Sequence, residues 1–219
     1  MPLGIITSIA ACPAIIGTTE AVQQGKKQNS REKHRSRKAN LLVTCHDPSR
    51  KARDIHGGTV VLRNNKLYCT NVNPKSKYLP DEGYDNEASQ GHLFAGYFFP
   101  YPESSWGRRG EGYVSTIMDD PPQLNWIYVD KDTYEVKYGL KKDTIGHHVG
   151  PWNVTPIDRR LNLDGWEGFT VVEEEEGVWA LYFDWDDDGL DGKVGLDKRI
   201  MEVELSRKEI RMMKGDCIM

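Results

Sequence analysis

The sequence predicts a mainly β protein, built as an antiparallel β-sandwich or a partly open β-barrel. Three observations carry this. About ten short runs rich in β-branched and aromatic residues follow one another from Leu41 onward. Clusters of Asn, Asp, Gly and Pro separate them. No helix-period segment lies between them to serve as the crossover that a parallel sheet requires. The chain also lacks G-x-G-x-x-G and G-x-x-x-x-G-K-[ST], which removes the dinucleotide-binding and P-loop classes. Its 219 residues suffice for one domain with a real core. The expected organisation is an apolar and basic arm over 1–40, an antiparallel β domain over 41–206, and a short C-terminal helix and tail over 207–219.

Leu41–His46 is the first β-rich run. Thr59–Arg63 and Lys66–Thr70 flank Asn64-Asn65, and Asn tolerates the positive φ of a two-residue hairpin turn. Residues 71–91 read as a loop, Leu93–Phe99 as a strand that ends at Pro100, and 100–112 as a second loop. Val114–Met118 precedes the turn Asp119-Asp120-Pro121-Pro122. Leu124–Val129 and Tyr134–Gly139 form a hairpin around Asp130–Thr133, with β-formers on both sides. Trp152–Thr155, Arg160–Leu163, Gly168–Val172 and Val178–Asp184 follow, the last two around Glu173–Gly177, read as a solvated acidic tip. Ile200–Leu205 closes the sheet. Ser206 with Glu209 three residues on is a capping box for a short helix.

Charge divides the chain. Residues 1–53 hold ten Lys and Arg against Glu20, Glu32 and Asp47, a net +7; the remaining 19 bases and 30 acids leave 54–219 at -11. An acidic body is a poor phosphate binder, so nucleic acid is not an expected partner. The first 17 residues carry no charged side chain, and the basic run follows them. A secretory signal has the reverse order. An apolar insertion followed by cations suits an anionic membrane surface, where each Lys or Arg adds about 1 kcal/mol. Ile5, Ile6, Ile9, Cys12, Lys26, Lys27, Arg35, Arg37 and Lys38 are the expected contacts, to a membrane or equally to a protein partner. Cys12 is positioned for a palmitoyl chain. Pro13 opens a proline-free stretch to Lys38 that is open to helix, although Gly17 and Gly25 weaken it. The expected location is cytoplasmic, peripheral to a membrane, with the run Lys33–Lys38 as an alternative nuclear address.

Candidate sites are sparse. Asp184, Asp186 and Asp188, with Gly189, match the first half of a calcium loop, but Gly195 stands where the bidentate Glu belongs, which favours a plain Asp/Gly turn. His147 and His148 are adjacent and so point to opposite faces of a strand, a poor metal pair. No nucleophile elbow and no C-x-x-C is present, and no cofactor is expected. Trp126, Tyr128, Trp152 and Trp166, with Phe99 and Tyr101 as a lip, are read either as core or as an aromatic ligand groove.

The segment Asp119–Gly139 (DDPPQLNWIYVDKDTYEVKYG), with Gly150–Asn153, Leu163–Phe169 and Trp179–Gly189, resembles a family of filamentous-ascomycete proteins of similar length. The resemblance spans nearly the whole chain; it implies a fungal origin and transfers no activity or site residue. The expected function is a non-enzymatic β-domain that acts as a binding or adaptor protein, attached through its arm. The alternative is a small β-barrel enzyme or ligand carrier, in secondary metabolism, with a deep apolar pocket.

Overall fold

Asn64 and Asn65 sit at φ 49° and 63° in the computed structural model. That left-handed pair turns β2 (Thr59–Arg63) into β3 (Lys66–Thr70), with Arg63 opposite Lys66. The structure describes residues 34–71, 91–101, 111–119 and 122–210, without the side chains of 118, 119 and 122. Around this hairpin run β1 (Ala39–Thr44), β4 (His92–Leu93), β5 (Gly96–Pro100), β6 (Glu111–Asp119), β7 (Pro122–Val129) and β8 (Val136–Gly139). The remaining strands are β9 (Trp152–Val154), β10 (Leu161–Leu163), β11 (Phe169–Glu175), β12 (Val178–Phe183), β13 (Ile200–Glu202) and β14 (Glu204–Glu209). The mainly β, antiparallel expectation holds, and of its two forms the structure adopts the barrel.

Neighbouring strands close a ring, β1–β2–β3–β8–β7–β6–β5, from which β12, β11 and β13 extend beyond β3. A three-part logic underlies it. The outer strands pair as β14–β1, β5–β6 and β9–β10. These pairs join through Ala39↔Gly96, through the approach of β6 to β9, and through the Arg160↔Ser206 bridge. Three hairpins, β2–β3, β7–β8 and β11–β12, cap this six-strand wall. They meet one another at Lys66↔Lys137, Trp179↔Cys69 and Glu135↔Tyr182.

The interior is filled by side chains. Tyr113 and Trp152 lie 6.0 Å apart, Trp152 and Phe169 6.2 Å, and Phe169 and Phe183 5.1 Å, centroid to centroid. All four are fully buried. Aromatic burial of this extent dominates core energetics. A deep apolar pocket would need the volume these rings occupy.

Two boundaries differ from expectation. Ser206–Glu209 is strand, not the start of a helix. It pairs residue for residue with Ala39–Leu42, and burying Leu205 and Arg207 on one face outweighs a local capping signal worth about 1 kcal/mol. The tail beyond residue 210 lies outside the described residues. The β domain also begins earlier, because Ala39 is fully buried in β1 and Lys38 accepts a hydrogen bond from the Ile210 amide. Chain contacts separate 1–37 from the unit Lys38–Met219.

Candidate functional site: a cleft beside Trp166

β10 ends in Asp164-Gly165, at φ 55° and 85°. The Leu163 amide donates to the Trp166 carbonyl at 2.9 Å and the Trp166 amide returns the bond at 3.0 Å. This two-residue turn reverses the chain and leaves Trp166 45% exposed. The indole is nonetheless fixed. Its Nε1–H donates to the Asp184 carbonyl at 2.9 Å. It lies so close over Gly168 that a Cβ there would sit 2.1 Å from Nε1. With its one donor used, the ring offers a ligand only its π face and edge.

The opposite wall follows β12. The Asp184 carboxylate accepts from the amides of Asp188 at 3.3 Å and Gly189 at 2.8 Å, which folds the loop back on itself. Tyr134 O–H donates to Asp186 at 2.5 Å. That bond, with burial, pushes the Tyr134 phenol up to about 12. Asp188 accepts from the Asp191 amide at 3.1 Å. Asp184 and Asp188 of the calcium-loop pattern therefore serve the loop's own amides, and Asp186 serves Tyr134. Among the described residues no group of three His, Cys, Asp or Glu could hold a metal ion.

Trp185 stacks on His148 at 4.1 Å and 18°. Burial, assisted by the neighbouring His147, pulls the His148 imidazole down, against the attraction of Asp164. It is neutral at pH 7 and suited to stacking. His147 faces Tyr128 instead, at 5.2 Å, so the two histidines diverge as adjacent strand-like positions should.

Leu163, Asp164, Trp166, Trp185, Asp186 and Asp187 are the main walls of a cleft of about 360 Å³. On the far side of Trp166 lies a groove of about 720 Å³, reaching His46, Met201 and Glu204. Trp166 and Asp187 border both. Among the described residues neither is lined by Lys or Arg; Arg160 pairs with Glu167 at 2.8 Å and Glu204 at 3.4 Å.

The six residues of the expected aromatic groove do not assemble. Trp152 is buried in the barrel interior. Trp126, Tyr101, Phe99 and Tyr128 do gather, on the outer face of β5 and β7: Trp126 packs edge-on against Tyr101 at 4.8 Å and Phe99 at 5.8 Å. They form one patch in which Tyr101 and Tyr128 are buried, Trp126 is half-buried and Phe99 is exposed; Trp166 stands apart in its own cleft. Of the arm residues, Ile5, Ile6, Ile9, Cys12, Lys26 and Lys27 lie outside the described residues. Arg35 is half-buried; Arg37 and Lys38 are exposed.

Sequence reasoning missed a polar cluster where the three hairpins meet. Glu135 bridges Lys66 and Lys137, the latter at 2.7 Å. Lys66 also pairs with Glu174 at 2.7 Å and Lys137 with Asp130 at 2.9 Å. Tyr182 O–H reaches Glu174 at 3.2 Å. Burial works against each charge, but the ion pairs outweigh it. Glu135 is held below its ordinary value, Asp130 at about 2, and both lysines above theirs. The expected solvated tip is part of this arrangement: Glu173 accepts from Lys51 at 3.0 Å and from the Gly177 amide at 3.1 Å.

Three hairpins closing one end of a six-strand barrel is a three-leaved architecture, and the family comparison agrees. A model described as the fungal beta-trefoil domain matches residues 17–211. The chain belongs to that family. No match emerges among curated proteins or among solved structures. The beta-trefoil match covers the whole basic run of the arm as well as the barrel, and it supports membership of a fungal family of about this length. Within this beta-trefoil, the Trp166 cleft lies between the β10–β11 connection and the loop that follows β12.

Proposed function

We propose that this beta-trefoil is a non-enzymatic binding module whose cleft beside Trp166 holds one ring of a hydroxyl-rich ligand, a saccharide residue. The carrying observation is the immobilised, half-exposed indole facing acceptor-only carboxylates. The C–H face of a sugar ring packs on such a π surface, while its hydroxyls donate to Asp187. A cleft of about 360 Å³ is within the range of small-ligand sites. The absence of Lys and Arg from its lining disfavours phosphate- or sulfate-bearing ligands. Binding rather than catalysis fits the carboxylates, because Asp184 and Asp186 are already committed to backbone and tyrosine donors. Screening neutral glycans and measuring hits by isothermal titration tests this. Trp166→Ala should abolish binding with the fold intact. Binding unaffected by that change, or binding of amines only, would refute the reading.

The arm carries a second part of the proposal, supported by its order of apolar then basic residues and by a net charge of +5 over 1–40 against -9 over 41–219. It attaches the module, as an adaptor, to an anionic membrane surface or a protein partner on the cytoplasmic side. Removing 1–37 and imaging the protein tests it; unchanged distribution and unchanged partners would defeat it.

A further inference from the structure

We propose that the outer face of β5 and β7, with the 140–145 turn at its edge, docks directly on anionic lipid headgroups, independently of the arm. Alternation along β7 puts Leu124, Trp126 and Tyr128 on one side. The Trp126 indole lies flat over Gly112, where a Cβ would come within 2.4 Å of the ring. Trp126 is opposite Gly139 in the β7–β8 ladder, so Leu140 leaves the strand beside the indole. The tight turn Lys141–Thr144 follows, tied to the patch by the hydrogen bond between Thr144 Oγ1 and Tyr101 O–H at 2.9 Å. Ile145 comes next and is 75% exposed; Leu140 and Phe99 are 42% exposed.

The charges on this turn select the occupant. Lys141 and Lys142 stand between the two exposed aliphatics. Among the described residues neither has an ion-pair partner, and Lys141 Nζ lies 6.0 Å over the Tyr101 ring. The acid of the turn, Asp143, is turned back to accept the Leu140 amide at 2.9 Å. Glu111, opposite Pro100, lies at the far edge. The centre of a protein interface is depleted of charge, because unpaired ammoniums there must be desolvated. A headgroup layer has no such conflict. Leu140 and Ile145 enter the acyl boundary, the lysines meet phosphate, and the half-buried Trp126 indole lies at the amphipathic zone where Trp concentrates. The body as a whole is acidic, so the attraction is local and fixes orientation rather than acting through net charge.

The test is flotation of the full chain with phosphatidylcholine vesicles, with and without phosphatidylserine, and with brominated lipid to quench nearby tryptophan. Wild-type protein should float only with phosphatidylserine and should be quenched; Trp126→Phe should remove most of the quenching. Leu140→Ser with Ile145→Ser, and Lys141→Gln with Lys142→Gln, should each weaken partitioning about tenfold. All four positions are on the surface, so thermal unfolding should match wild type. Replacing Lys26, Lys27, Arg35, Arg37 and Lys38 by Gln separates this face from the arm: quenching of Trp126 and sensitivity to the serine pair should persist. Vesicle binding lost in the arm variant but untouched by the serine pair would overturn the proposal. So would the absence of any vesicle binding, or concentration-dependent self-association abolished by the serine pair, which would assign the face to a second copy.

Discussion

Glu135 is the residue on which the hairpin junction turns, and replacing it by Ala gives the most direct measure of that junction. Lys66 and Lys137 are partners across the β3–β8 ladder, two like charges placed opposite one another. Like charges directly opposite destabilise a sheet, and here Glu135 lies between them. Its side chain is 12% exposed, and those of Lys66 and Lys137 are 25% and 21% exposed. Exposed pairs are worth about 0.2–1 kcal/mol, and breaking a fully buried pair costs about 3–5 kcal/mol. Partial burial, two partners lost at once, and residual pairing of each lysine with Glu174 or Asp130 place Glu135→Ala at about 2–3 kcal/mol of destabilisation. Glu135→Gln keeps the reach but not the charge and should cost about half of that. Urea unfolding at neutral pH, with an unchanged m-value, is the assay. A loss below about 0.5 kcal/mol would show that the cluster behaves as ordinary surface charge and would refute the argument.

The same cluster sets the acid limit. Asp130 has a folded value of about 2, below its unfolded value. Its contribution, about 2 kcal/mol, is therefore complete above about pH 4 and lost as pH falls towards 2. The two lysines are raised, so their contribution is complete below their unfolded value and fades at strongly alkaline pH. Asp130→Asn should flatten the acid side of the stability profile and leave the alkaline side in place.

Other positions give simpler tests. Gly168→Ala should evict the Trp166 indole, seen as a red-shifted, more quenchable fluorescence, and should abolish any glycan binding, because the new Cβ would sit 2.1 Å from Nε1 and 2.6 Å from the Asp184 carbonyl. Asn65→Val should destabilise by about 1–2 kcal/mol in urea titration, since a β-branched residue is strained at φ 63°. Cys69 is fully buried, and burial pushes its thiol up. Peptide mapping after native alkylation should find it unmodified, and labelling should begin only with unfolding.

What could be read from the sequence was local. Asn64-Asn65 predicts its own hairpin because the turn chemistry and the flanking β-runs are contiguous, and nearly every strand lies within a few residues of its expected place. The capping box at Ser206 is also local, and it misled, because the partner that overrides it, β1, is more than 160 residues away in sequence. Exposure is non-local in the same way. Trp152 and Trp166 both sit in β-rich surroundings, yet one fills the barrel and the other walls a cleft. A clue was present: Asp164-Gly165 is hairpin-turn chemistry directly before Trp166.

The hairpin junction was illegible for a related reason, and the reason bears on how the fold is specified. The three capping hairpins meet through few backbone pairs, at Lys66↔Lys137, Trp179↔Cys69, Ala180↔Tyr68 and Glu135↔Tyr182. Backbone pairing that sparse does little to determine which hairpin lies beside which. The side chains supply the missing information: Lys66 from the first hairpin, Glu135 and Lys137 from the second, and Glu174 and Tyr182 from the third. Each is matched only when all three hairpins are in register. A one-residue slip of any hairpin turns its polar member inward and leaves the others buried without partners. Glu135→Ala should therefore affect uniqueness as well as stability. Near-UV circular dichroism should weaken before far-UV signal does, whereas a purely energetic role would lower both together.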